Sequence, residues 1–211
     1  SYRETVQATA RGEGKFVRQA AGKGQFGHVI LSVEPTSQVD HFLFEDRSPP
    51  GTVPKEYVPA IREGLRESME RGVLADFPMV GLKAVLIGGS FHETESSEIA
   101  FKIAANMAFQ EACKAASPVV LEPVMSVTCT VPEEFVGAVI GDLNSRRGRV
   151  GAMQLRGGLQ VVDAEVPLAE LFGYVGDLRS LTQGRGNKTM LFRDYQATPK
   201  NVQDAIVQRL R

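Results

Sequence analysis

Polar and apolar residues alternate through Thr5-Val6-Gln7-Ala8-Thr9-Ala10, Lys15-Phe16-Val17-Arg18-Gln19 and His28-Val29-Ile30-Leu31-Ser32-Val33, a period of two that predicts strands. Gly12, Gly14, Gly22, Gly24 and Gly27 read as the punctuation between them. After a turn at Pro49-Pro50-Gly51 the period lengthens. Val58, Ile61, Leu65 and Met69 share one helical face, Pro59 falls in the tolerated first turn, and Gly72 follows the end. Residues 80–87 form an apolar run suited to a buried strand, and Gly88-Gly89 then reads as a glycine turn with His92 at its tip. Ser96 or Ser97 caps the next helix, with Glu98 facing the positive end of its dipole. That helix carries Ile99, Ile103 and Met107 on one face, and small Ala100, Ala104 and Ala108 beside it allow close packing on a sheet.

The second half has a cleaner rhythm. Residues 124–131 predict a strand, and Thr130-x-x-Glu133 reads as a capping box with Pro132 early in the helix. Val136, Val139, Ile140 and Leu143 mark that helix's buried face. Residues 149–155 and 159–166 predict a hairpin across Arg156-Gly157-Gly158. Pro167 opens a helix with Leu168, Leu171, Phe172, Val175 and Leu178 on one stripe, Gly184 and Gly186 end it, and residues 189–195 are a last strand. The order βαββαβ is the ferredoxin-like arrangement. Pro199 starts a terminal helix with Val202, Ile206 and Leu210. The fold class is therefore α+β, two α/β sandwich domains over 1–120 and 121–196, with 197–211 expected to pack back on the first.

The chain has 211 residues, 43% of them hydrophobic, enough for real cores. No apolar run approaches a membrane span, so no membrane is expected. It starts at Ser1 rather than methionine and is expected to be part of a longer protein. Cys113 and Cys129 make neither a disulfide framework nor a zinc pattern and read as reduced, packed thiols. A net charge of −1 argues against strong non-specific polyanion binding. Residues 1–30, however, hold five cations against two carboxylates, and Arg146, Arg147 and Arg149 cluster at a helix end.

Catalysis is poorly supported. His92 stands near Glu93, Glu95 and Glu98, but no nucleophile is paired with a base, and Ser96 and Ser97 are better explained as caps. His28, His41 and His92 have no metal-ligand spacing. Gly22-x-Gly24-x-x-Gly27 has the letters of a dinucleotide loop, but strands flank it on both sides and no helix follows. What remains is recognition by two glycine-rich segments, Gly22-Lys23-Gly24-Gln25-Phe26 and Gly89-Ser90-Phe91-His92-Glu93. Phe26 and Phe91 could stack on a base, although core packing is the commoner use, and His28 reads as structural. Two rival classes stay open: an RNA-processing enzyme using His92 and Glu95, and a module that docks on protein alone.

Arg18-Gln19-Ala20-Ala21-Gly22-Lys23-Gly24-Gln25-Phe26-Gly27-His28-Val29 resembles the first tip loop of the fourth domain of bacterial translation elongation factor G. Residues 54–60, Gly89-Ser90-Phe91-His92 through Ser96-Ser97-Glu98, residues 121–125, 141–148 and 172–185 are similar to the same family in order. The chain departs from it at Ala20-Ala21, where a serine–glycine pair is usual, at Lys23 for arginine, and at Glu93-Thr94-Glu95 for Asp-Val-Asp. The resemblance covers domains four and five. It implies a first domain like the second domain of ribosomal protein S5, with a left-handed βαβ crossover. It also implies a ribosomal translocase fragment with no catalytic site and no metal or cofactor of its own, GTP and Mg belonging to a G domain elsewhere in the parent. The tip Gly22 to Phe26 and Gly89 to Glu93 would meet A/P-site tRNA and mRNA in the small-subunit decoding region. Arg146, Arg147 and Arg149 would contact large-subunit rRNA near the stalk base. A cytoplasmic monomer is implied. A ribosome-recycling paralogue or a ribosomal-protection protein fits the same resemblance.

Overall fold

A computed structural model describes residues 1–20 and 22–210; of Ala20 only the backbone is described. The chain divides into two compact units. One is Tyr2–Leu121 together with the segment from Thr198 on, and the other is Glu122–Ala197.

In the first unit β2 (Ala10–Ala20), β3 (Lys23–Pro35), β5 (Leu82–Ser90) and β4 (Leu43–Asp46) form a sheet in the order β2-β3-β5-β4. The pairs are antiparallel except β4 with β5, which run parallel and are joined through α1 (Val58–Arg71). Strand β4 is too short to show an alternation, and the periodicity does not predict it. Helix α1 buries Ile61, Leu65 and Met69 as its period requires, and Gly72 ends it at φ 68°, a left-handed conformation that suits glycine. Helix α2 (Glu98–Ala115) is capped by Ser97, whose hydroxyl accepts from the Ala100 N–H. The buried face of α2 is Ala100, Phe101, Ala104, Ala105, Ala108, Phe109, Ala112 and Cys113, while Ile99, Ile103 and Met107 are exposed. Ile99, Ile103 and Met107 thus stay outside the core, while the alanines let the helix backbone come close to the sheet and Phe101 and Phe109 fill the space beside them. A Cβ on Gly12 would lie 2.1 Å from the Ala108 carbonyl, one on Gly14 2.0 Å from that of Ala104, and one on Gly27 2.4 Å from that of Ala100. These glycines are strand residues that seat the helix, not turns between strands.

A short strand β1 (Arg3–Val6) pairs with the beginning of β6 (Pro118–Pro132), from Arg3↔Leu121 to Val6↔Pro118. Within β1 sits Glu4, fully buried. Its carboxylate accepts from the amides of Val73, Leu74, Ala75 and Phe77 at 2.8–3.0 Å, so the loop after α1 wraps around one anion. Helix α5 (Lys200–Arg209) belongs to this unit: Ile206 is buried, and the Val120 N–H donates to Gln203 Oε1.

The second unit runs β6, α3 (Val136–Ser145), β7 (Arg149–Arg156), β8 (Leu159–Pro167), α4 (Tyr174–Leu181) and β9 (Asn187–Ala197), a ferredoxin-like βαββαβ with sheet order β9-β6-β8-β7. Gly157 and Gly158, both at positive φ, make the hairpin turn. Two expectations fail here. The capping box is absent: Thr130 and Pro132 lie in β6, and a 3-10 turn over Glu133–Phe135 leads into α3 with no side-chain cap. The stripe from Leu168 to Leu178 is also broken. Gly173, left-handed at φ 73°, separates a 3-10 turn from α4, so Leu171, Tyr174 and Leu178 are buried while Leu168, Phe172 and Val175 face outward. Among the described residues no helix is long and apolar enough to cross a membrane.

Candidate nucleic-acid interface

The two glycine-rich segments meet. In β3, the Phe26 N–H donates to the Glu95 carbonyl at 2.8 Å, and the Ser97 N–H donates back to the Phe26 carbonyl at 3.4 Å. These bonds form a parallel bridge between Phe26 and Ser96, so the loop that carries His92 lies along the edge of β3 just beyond the end of β5. The fit is close at Gly24, where a Cβ would lie 2.4 Å from the Glu95 carboxyl.

The segments are built differently from a pair of glycine turns. Gly22, at φ 85°, is a turn residue, and Lys23, Gly24, Gln25 and Phe26 are already strand. Ala21 and the side chain of Ala20 lie outside the described residues. Gly88, Gly89 and Ser90 continue β5 across from β3, with a bulge after Leu86. Gly89 sits at φ 156°, and a Cβ there would lie 2.2 Å from the His28 carbonyl, so glycine is required by close approach. The turn comes later, at residues 91–96. There the His92 N–H donates to Ser96 Oγ at 2.8 Å and the Ser96 N–H returns to the His92 carbonyl.

His92 and Glu93 are exposed, and Phe91 is exposed rather than packed in the core. Nδ1 of His92 accepts from the amides of Thr94 and Glu95 at 3.3 and 3.2 Å, with the Thr94 hydroxyl at 3.2 Å. The half-buried Phe26 ring stands 6.3 Å from the imidazole, tilted by 48°. Lys15, from β2, holds its ammonium 5.8 Å from the centre of the same ring. Lys15 thus joins the site. Its pairing opposite His28 follows from strand register, which the sequence alone leaves open. Lys23 is exposed beside the turn. Ser90 and His28 are internally engaged: His28 Nε2 is 2.6 Å from Glu13 Oε1, and its Nδ1 is 2.7 Å from Ser90 Oγ. The arrangement puts the Lys15 cation, an aromatic ring and an imidazole side by side, with the Ser90–His28–Glu13 chain of hydroxyl, imidazole and carboxylate next to them. Among the described residues no group of His, Cys, Asp or Glu could hold a metal.

The three arginines after α3 do not form one exposed patch. Arg146 donates to Asp142, to Asp177 and to the Glu170 carbonyl, and its guanidinium lies 5.0 Å from the Tyr174 ring centre. Arg147, at φ 56°, makes a bidentate pair with buried Glu122 at 2.9 and 3.0 Å and also reaches Glu170. Only Arg149 keeps most of its side chain exposed (72%), paired with Glu165. The reason is local: the chain turn after α3 points the first two inward, onto carboxylates.

Two family models match the chain. Elongation factor G, domain IV, covers residues 1–117, and elongation factor G C-terminus covers residues 119–206. A crystal structure of a protein from Thermus thermophilus is similar over 99% of this chain, at 45% identity and a TM-score of 0.82. This chain spans 31% of that one.

Proposed function

The chain belongs to the elongation factor G family, and from that membership we propose that it is the part of a ribosomal translocase that enters the decoding region. The joined surface of Lys15, Lys23, Phe26 and His92 faces A-site tRNA and its paired codon. It loosens the hold of the decoding centre while tRNA and mRNA move. Contacts of this kind read backbone shape, phosphate and 2′-hydroxyls, so one surface serves every codon. The chemistry that drives the movement, GTP hydrolysis with Mg, belongs to a G domain outside this chain. Of the three arginines after α3, Arg149 is the one available to large-subunit rRNA.

The observation that carries this reading is the Phe26–Glu95 hydrogen bond, which makes two segments some 70 residues apart one surface with an exposed imidazole. The test is His92→Ala and His92→Lys in the factor that carries this chain. Single-round translocation slows by about tenfold, the scale of one well-placed hydrogen bond, and ribosome-stimulated GTP hydrolysis stays nearly intact. Equal loss of both rates refutes the reading.

A further inference from the structure

We propose that His92 is held as a fixed hydrogen-bond donor, its ring proton on Nε2, and that the RNA atom it meets is an acceptor. The inference rests on the RNA-facing reading above for its ligand, but the state of the ring follows from the loop itself. A neutral imidazole has one donor and one acceptor nitrogen. The Thr94 and Glu95 amides can only donate, and both point at Nδ1. Nδ1 is therefore the acceptor and Nε2 carries the proton. The imidazole does here what an asparagine oxygen does in an Asx turn, closing the loop on its own backbone.

The ring is held from both sides. Ser96 Oγ fixes the His92 N–H at 2.8 Å, and Glu95, one of the two donors to Nδ1, is itself anchored through its carbonyl by the Phe26 N–H. Glu95 could have oriented the ring through its carboxylate, but that group lies against Gly24 of the hairpin. Nε2–H is thus directed away from the loop with its role set by main-chain groups. Such a donor suits a phosphate oxygen, a ribose 2′-oxygen or an acceptor on a base edge, and it rejects a group that can only donate. Lys15 supplies charge nearby, over the Phe26 ring that stands beside the imidazole, and the imidazole adds direction.

The experiment has two parts. The 211-residue chain, labelled with ¹⁵N-histidine, is measured by long-range ¹H–¹⁵N correlation above the ordinary titration range of imidazole. His92 should show its proton on Nε2; a proton on Nδ1, or an average of the two forms, overturns the proposal. The second part measures binding of wild type, His92→Ala, His92→Asn and His92→Gln to small ribosomal subunits carrying mRNA and A-site tRNA. Asn keeps an acceptor for the loop amides but cannot reach outward as a donor. Gln places an N–H near the Nε2 position. Asn should weaken binding as much as Ala, by about tenfold, and Gln by about threefold or less, since each lost hydrogen bond is worth about a factor of ten. If Ala weakens binding and Asn does not, the donor assignment falls while the RNA-facing reading stands. If none of the three differs from wild type, that reading falls too. Replacing the contacted ribose by its 2′-deoxy form, or a phosphate by a neutral methylphosphonate, then identifies which acceptor is lost.

Discussion

The main-chain N–H of Phe26 donates to the carbonyl of Glu95 at 2.8 Å. Everything proposed for the surface depends on that pairing, because Glu95 also donates to the imidazole of His92. The hairpin and the histidine loop are one unit joined through main-chain groups, which tolerate side-chain changes along the loop.

The first consequence concerns Gly24. Gly24→Ala forces the Glu95 carboxyl to move, since the two would lie 2.4 Å apart. The carboxyl ends a flexible side chain, so the cost to stability should be about 1 kcal/mol. Glu95→Ala should restore the loss in the double variant. A double-mutant cycle on urea midpoints measures the coupling, and simple additivity would show that the two residues do not press on each other.

Glycine to alanine should have opposite signs at two other sites. At Gly14 the new Cβ meets the Ala104 carbonyl, which belongs to a helix backbone and cannot yield. Gly14→Ala should cost about 3 kcal/mol or more. Gly141, in α3, has nothing within 4 Å, and Gly141→Ala should gain about 0.5–1 kcal/mol from helix propensity. Denaturant melts of the two variants settle both signs.

Glu4→Gln tests the carboxylate that organises the loop after α1. Four amides donate to it, two to each oxygen. A glutamine presents an amide NH2 to one pair of donors, so a buried group loses its partners. The expected loss is about 3 kcal/mol, read from the unfolding free energy. Glu4→Asp, too short to reach, should lose nearly as much.

Burial raises the thiol of Cys113 from 9.0 to about 12, with the charge of Glu4 acting in the same direction. The folded chain therefore keeps a proton that the unfolded chain has released. Above pH 9 the native state binds more protons, so stability falls as pH rises toward 12, by about 1.4 kcal/mol per pH unit for this one group. Cys129 and Tyr174, also raised by burial, add to the fall. Cys113→Ala should flatten the slope of stability against pH over that window by about one proton, whatever it does to stability at neutral pH. An unchanged slope would show that Cys113 titrates normally.

The sequence displays patterns whose causes are local. The stripe of α1, the Gly157-Gly158 hairpin and the βαββαβ order depend on neighbours within a few residues, and each is present. The misreadings arise where a distant element decides. Gly12 and Gly14 look like turn residues until α2 is laid across them. Thr130 and Glu133 have capping spacing, but β6 continues to Pro132 through its pairing with β8. Glu4 gives no sign that its partners lie about seventy positions on. In the candidate site, the two glycine-rich segments could be picked out from the sequence but their pairing could not: the place of Lys15 and the orientation of His92 both follow from contacts with other segments.

The central claim is that the joined hairpin and histidine loop face RNA in the decoding region. The buried thiols of Cys113 and Cys129 leave a cysteine placed at Lys23 as the reactive site for an iron chelate. Hydroxyl radicals generated there, with the factor bound to ribosomes, should cut small-subunit rRNA at the decoding region and A-site tRNA. The same chelate at Arg149 should cut neither. Cuts from position 23 confined to large-subunit rRNA, or no RNA cuts from it at all, would contradict the account.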